Sequence, residues 1–139
     1  MSAYTYALCA ALIWGIAPIF EKSGLVQTPP LLGLAVRSLG VLIAVLLLLP
    51  MVPNLGEGLK NTPGKSILNL MVGGCLGSVV GQVFAYQAMK RADVSQVGPV
   101  MGSWPLLVVL YGWIFLGEPL SLKKCLGSGF IVLGVWLLR

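Results

Sequence analysis

The sequence predicts an all-α integral membrane protein, a bundle of five transmembrane helices. Three observations predict it. First, the 139 residues are 58% hydrophobic and 9% charged, with a mean hydropathy of +0.95, whereas an average globular domain is about 25% charged. A short water-soluble chain has a large surface for its volume, and four acids with nine bases do not cover one. Second, apolar runs of spanning length recur along the chain; a bilayer core about 30 Å thick calls for about 20 residues of helix. Third, no run alternates apolar and polar residues as the strands of a membrane barrel do.

The elements follow in order. The first span covers residues 3–20 and closes at Glu21-Lys22-Ser23-Gly24. The second, residues 31–49, opens after Thr28-Pro29-Pro30 and closes at Pro50 and Pro53, since proline suits a helix start and the positions just past a helix end. Residues 54–65 are the most polar stretch and read as a loop. The third span, residues 66–89, ends at Lys90-Arg91-Ala92-Asp93, and the fourth, residues 97–116, is stopped by Gly117-Glu118-Pro119. The fifth, residues 122–138, is short; it starts beside Lys123 and Lys124, which would snorkel to the interface, and ends at Arg139. One transmembrane domain over residues 1–139 is expected, with no soluble domain, low-complexity tract or clear internal repeat.

Several function classes are excluded at this level. A net charge of +5 would suggest an anionic partner in a soluble protein, but beside apolar spans the bases act as anchors and topology signals, so no nucleic-acid partner is expected. The chain has no histidine, which removes the commonest general base, imidazole metal sites and any Ser-His-Asp arrangement. Cys9, Cys75 and Cys125 are odd in number, widely spaced and set in or beside apolar stretches, so they read as packing residues. No metal, cofactor or catalytic residue is expected, and the N-terminus lacks the basic region and small-residue cleavage site of a signal peptide.

With five spans the termini lie on opposite faces. One face then carries Lys60, Lys65, Lys123 and Lys124, and the other carries Lys22, Lys90, Arg91 and Arg139. Lys/Arg excess on the cytoplasmic side orients a membrane protein, and four against four leaves no excess. Such balance arises by chance in a small protein. It is also what dual topology requires, in which the chain inserts both ways and pairs with an inverted copy of itself.

Within the spans a few residues stand out. Gly73, Gly77, Gly81 and Ala85 recur every four residues of the third span, a small-residue face that lets helix backbones approach in lipid. Ser78, Gln82 and Tyr86 form a polar stripe one position round; they either line a cavity or hydrogen-bond between helices. Arg37 lies about 9 Å into the second span at 1.5 Å per residue, where a charge faces a cavity or a partner unless it snorkels. It would attract an anionic substrate group or pair with Glu21. In the fourth span Gln96 and Ser103 are seven residues apart, Pro99 and Pro105 interrupt the backbone, and Trp104 offers a stacking surface. Gly127 and Gly134 give the fifth span a second small face for helix packing or dimer contact. No carboxylate lies mid-span, Glu21 and Glu118 being read at helix ends, which weakens proton coupling through a buried acid.

These residues together resemble a single EamA-type unit of the drug/metabolite transporter superfamily. The resemblance rests on Trp14-Gly15 in the first span, Arg37 in the second, Tyr86 and Ala88 closing the third, and Gly117-Glu118-Pro119 after the fourth, followed by Leu120-Ser121, Gly127 and Gly134-Val135. It implies metabolite transport, usually export, by ten-helix proteins built from two inverted five-helix repeats. One repeat is present here, so the chain is expected to be half of an inverted-repeat transporter, completed by an antiparallel homodimer or by a second small subunit. The related small multidrug resistance proteins have four spans and a carboxylate deep in the first, where Glu21 does not lie.

The expected function is alternating-access transport of small polar or amphipathic metabolites across the plasma or inner membrane. Trp14, Arg37, Gln82, Tyr86, Gln96, Ser103 and Trp104 are the candidate substrate-binding residues, and Gly73, Gly77, Gly81, Gly127 and Gly134 the packing or dimer contacts. The alternative is a non-transporting membrane subunit that stabilises or escorts a partner.

Overall fold

The computed structural model describes residues 2–138, and among these it is helical with no strand. Helix α1 runs over Ala3–Leu25, α2 over Pro30–Leu48, α3 over Leu55–Asn61, α4 over Gly64–Cys75, α5 over Gln82–Arg91, α6 over Val94–Met101, α7 over Trp104–Leu116 and α8 over Leu122–Leu137. Four helical segments are long and apolar enough to cross a membrane: Ala3–Leu25, Pro30–Met51, Gly64–Arg91 and Val94–Leu116. The fifth expected span is α8, whose 16 residues make about 24 Å of helix. That is shorter than the hydrocarbon core, so the count of five is not reached on length alone.

The local sequence explains where helices start, stop and break. Pro30 opens α2 at its first position, where the missing N–H is not needed. Pro50 then closes the segment in a 3-10 turn, Leu49–Met51. Residues 54–65, expected to be a loop, contain α3 instead. Asn54 takes a left-handed φ of 50°, a conformation asparagine tolerates, and Glu57 in the first turn with Lys60 in the last complement the helix dipole. Glycine and asparagine content concealed this helix.

The third expected span is one helical rod, Gly64–Arg91, but it contains a π-helical turn at Leu76–Gly81 between α4 and α5. Residues on either side of a π-turn lose the register of an unbroken α-helix. The expected stripe of Gly73, Gly77, Gly81 and Ala85 therefore does not run straight. The fourth span is broken as well. Pro105 would drive its ring into the carbonyl four residues earlier, which belongs to Met101, the last residue of α6. The chain passes through Gly102 and Ser103 and restarts at Trp104.

The Gly-Glu-Pro-x-Ser segment is a complete helix-to-helix turn. Gly117 adopts the left-handed conformation (φ 65°) that ends α7, and Glu118 N–H reaches back to Gly112 O at 3.1 Å. Pro119 follows, unable to extend the helix. Ser121 is the N-cap of α8, its Oγ accepting from Lys124 N–H at 3.2 Å. Lys124 Nζ pairs with Glu118 Oε2 at 3.2 Å and reaches Pro119 O at 3.3 Å, tying the turn together.

The chain divides into two compact units, one from the start of α1 to Ile19 together with the residues from Arg91 onward, the other Phe20–Lys90. The division falls inside α1, just after Pro18. In the first unit α8 packs on α7 and α6. In the second, Leu25, Leu34, Tyr86 and Met89 form a small buried core. Most other large apolar side chains lie on the surface, Phe115 being 78% exposed and Phe84 71%, as suits helices whose solvent is lipid. A Cβ built at Gly73, Gly77, Gly127 or Gly134 meets nothing within 4 Å, so no helix of the same unit uses those faces.

Gly117→Ala is expected to lower the thermal stability of the detergent-solubilised protein by about 1 kcal/mol, because an L side chain is strained in the left-handed region. Ser121→Ala should have an effect of similar size through the lost cap; differential scanning fluorimetry showing wild-type stability for both would contradict this account of the turn.

Candidate functional site

The polar residues of the second unit converge on Glu21. Helix α1 runs on to Leu25 through the Glu-Lys-Ser-Gly segment that was expected to stop it, which places Glu21 a full turn inside the helix. Two features allow this. Lys22 stands in the last turn, where a cation suits the helix dipole, and its Nζ donates to Met89 O of α5. In the opposite sense, Lys90 Nζ of α5 donates to Val26 O just beyond α1 at 3.2 Å. Lys22 thus reaches a carbonyl in the last turn of α5 and Lys90 one just past α1, and the ends of α1 and α5 are held side by side over buried Leu25 and Met89.

This anchoring brings three helices to one carboxylate. Arg37 Nε of α2 donates to Glu21 Oε1 at 2.9 Å, and Gln82 Nε2 of α5 donates to Glu21 Oε2 at 3.1 Å. The Tyr86 side chain, one turn beyond Gln82, interacts with both Glu21 and Gln82 and is only 2% exposed. Both oxygens of Glu21 are engaged, and the pair is partly shielded, with side-chain exposures of 31% for Arg37 and 17% for Glu21. A charge-assisted contact of this kind gains strength where water is excluded.

A cavity of about 290 Å³ opens against this cluster, with Glu21, Arg37 and Tyr86 on its polar side and Phe20, Leu25 and Val36 on its apolar side. Gly33 keeps its wall thin: a Cβ there would lie 2.7 Å from Leu25 Cδ2 and 3.5 Å from Tyr86 Cε2. The small volume, one carboxylate, one guanidinium and an aromatic hydroxyl suit a compact ligand with a polar group and an apolar part.

The seven candidate residues are thereby sorted. Arg37, Gln82 and Tyr86 share one site, and Glu21 joins them as the acceptor that the sequence suggested only as a partner for Arg37. Ser78, the first member of the expected polar stripe, lies in the π-turn. Trp14 and Trp104 belong to the other unit, where their rings meet edge to face with centroids 6.3 Å apart. Ser103 is engaged locally, its hydroxyl donating to Val100 O at 2.7 Å across the break between α6 and α7. Gln96 is exposed on α6. No group of three or more His, Cys, Asp or Glu suited to a metal occurs among the described residues.

An ion pair and an amide gathered between membrane-length helices suggest a solute site, and comparison with known proteins identifies its setting. The chain matches the EamA-like transporter family over residues 1–139. It belongs to that family. It is therefore a multi-pass membrane protein of a transporter family. Among its relatives is an uncharacterized transporter in the cobO 3' region of a Sinorhizobium species, 27% identical over 133 residues, covering 96% of this chain and 93% of that protein. An uncharacterized protein of Methanocaldococcus jannaschii is 24% identical over 137 residues, covering 99% of this chain and 96% of that protein. An uncharacterized transporter of Archaeoglobus fulgidus is 26% identical over 91 residues, which are 64% of this chain and 33% of that protein. No solved structure matches the chain. Within this EamA-like chain, the Tyr86 and Arg37 positions of the family resemblance meet at Glu21, and the Gly-Glu-Pro-x-Ser positions form the α7–α8 turn.

The Glu21–Arg37 contact can be tested directly. Glu21→Ala and Arg37→Ala are each expected to destabilise the protein, and the double variant to lose less than the sum of the two single losses, with a coupling on the order of 1 kcal/mol. Chemical or thermal unfolding in detergent measures it, and strictly additive losses would show that the two side chains do not interact.

Proposed function

We propose that this EamA-like protein exports small polar or amphipathic metabolites across the plasma membrane by alternating access, with the Glu21 site as part of its substrate pathway. The observation that carries the reading is the convergence of Arg37, Gln82 and Tyr86 on Glu21 beside a cavity of about 290 Å³, in helices of membrane-crossing length. Ionisable groups are costly inside a bilayer and are kept where they meet a solute or a partner. In this reading Arg37 and Tyr86 make the first contacts with the substrate, Gln82 yields its bond to Glu21 as the substrate arrives, and Glu21 holds Arg37 in place between cycles. Trp14, Trp104, Ser103 and Gln96 are proposed for a second part of the pathway in the other unit.

The working form is proposed to be a dimer of inverted copies, or a heterodimer with a second small subunit, with α8 as a fifth, short span drawn to the interfaces by Lys123 and Lys124. Two observations support it. With Arg37 set aside inside the second span, the other eight of the nine bases divide four against four between the two faces of a five-span chain. The faces of Gly73/Gly77 and Gly127/Gly134 have open space beside them, which suits close contact with another copy.

Arg37→Gln is expected to reduce transport at least tenfold in proteoliposomes or in cells challenged with toxic metabolites, at unchanged protein level; undiminished transport would refute the role of Arg37. Transport by the purified protein alone in liposomes would eliminate the escort reading. Reporters active only inside or only outside the cell, fused in turn to the C-terminus, should both give signal. A single active reporter would eliminate the inverted homodimer.

A further inference from the structure

The third membrane segment carries two helical registers in one sequence, and the structure occupies one of them. In a plain α-helix the face defined by Gly73 and Gly77 continues four residues on into Gly81 and Ala85. A π-turn has i to i+5 hydrogen bonds, so it places one more residue in the turn. With the π-turn at Leu76–Gly81, the same face continues from Gly77 to Gln82 and then to Tyr86. The alternative to the observed helix is therefore also a regular one, with small residues where the polar pair now stands.

We infer that the Leu76–Gly81 turn is a register switch that couples occupancy of the Glu21 site to rotation of α5 by about 100°, one residue's turn of an α-helix. The inference rests on the proposed role of that site in binding solute. In the π register Gln82 Nε2 donates to Glu21 Oε2 at 3.1 Å, Tyr86 is buried against the site, and Lys90 Nζ holds Val26 O at 3.2 Å. Those contacts maintain a turn whose hydrogen-bond geometry is otherwise less favourable than that of α-helix. A solute donor that takes Glu21 Oε2 displaces Gln82 and removes one of them. In the α register Ala85 replaces Tyr86 beside Gly33 and Leu25, and the cavity loses its aromatic wall.

The sequence of the turn suits interconversion. Gly77 and Gly81 bring no side chain to obstruct rotation, and Val79 and Val80 are exposed. The turn is tight at Gly81, where a Cβ would be 3.2 Å from Leu76 O. π-turns inside α-helices occur frequently at functional sites, and here the turn immediately precedes the residue that holds the carboxylate.

The test is a distance measurement in the full chain. Spin labels are placed at Leu39 on α2 and Phe84 on α5, both exposed, with Cys9, Cys75 and Cys125 replaced by Ala. Rotation of α5 moves the label at residue 84 by roughly 9 Å on a helix about 12 Å across. Double electron–electron resonance in lipid nanodiscs should resolve two distances, the π-register one dominant. Gln82→Ala should raise the minor population about tenfold, because it removes a hydrogen bond to a charged acceptor. Deletion of Val79 turns the step from Gly77 to Gln82 into an ordinary α-helical one and should leave the π-register distance alone. Identical single distances in wild type and Gln82→Ala would overturn the switch even if the deletion variant failed to fold. Two registers in a protein that transports nothing would sink the proposed function while supporting the switch.

Discussion

The Glu21–Arg37 contact is the constraint on which the arrangement of the Phe20–Lys90 unit depends. A guanidinium placed within a membrane helix needs a counter-charge, because lipid offers it none and water reaches it poorly. The acceptor lies sixteen residues earlier on another helix, so α1 and α2 must present facing positions. They do so because α1 continues past the point where its composition first turns polar. Gln82 takes the second carboxylate oxygen, which draws α5 to the same place. Without that three-helix junction the few buried residues, Leu25, Leu34, Tyr86 and Met89, would have only van der Waals packing to hold them together, since lipid supplies no hydrophobic driving force between helices.

The two lysines near this junction serve helix ends rather than membrane anchoring alone. Lys22 and Lys90 sit at the edges of their spans, where sequence reasoning assigns them to topology. Both instead donate to carbonyls at or just past a helix end, Met89 O and Val26 O. Crossed bonds of this kind set the level at which α1 and α5 lie beside each other, and that level determines that Gln82 faces Glu21. A local requirement of backbone chemistry thus positions a site one to two turns away.

Helix interruptions are the second theme of the molecule. The break at Gly102–Ser103, the π-turn at Leu76–Gly81 and Pro18 in α1 each weaken a backbone ladder that a membrane otherwise enforces strictly. Ser103 returns its hydroxyl to Val100 O at the break, which is how such a site is tolerated. The turn between α7 and α8 is different in kind: Gly117, Glu118, Pro119 and Ser121 each perform a separate task in ending one helix and beginning the next. This gives a physical basis for the family resemblance at those positions.

Composition and apolar run lengths determined on their own that this is a helical membrane protein with breaks near residues 25, 50, 92 and 117, because hydrophobic length and proline or glycine chemistry act locally. The same local chemistry marked Arg37, Gln82 and Tyr86, as polar groups that lipid does not solvate. Tertiary structure alone decided that these three share Glu21 and that a π-turn shifts the glycine stripe out of line. Those outcomes depend on contacts between residues sixteen to sixty-one positions apart, and on hydrogen bonds that a periodic pattern does not encode. The stripe of Gly73, Gly77, Gly81 and Ala85 was legible as a period, but the period assumed one kind of helix, and the structure holds another at Leu76–Gly81.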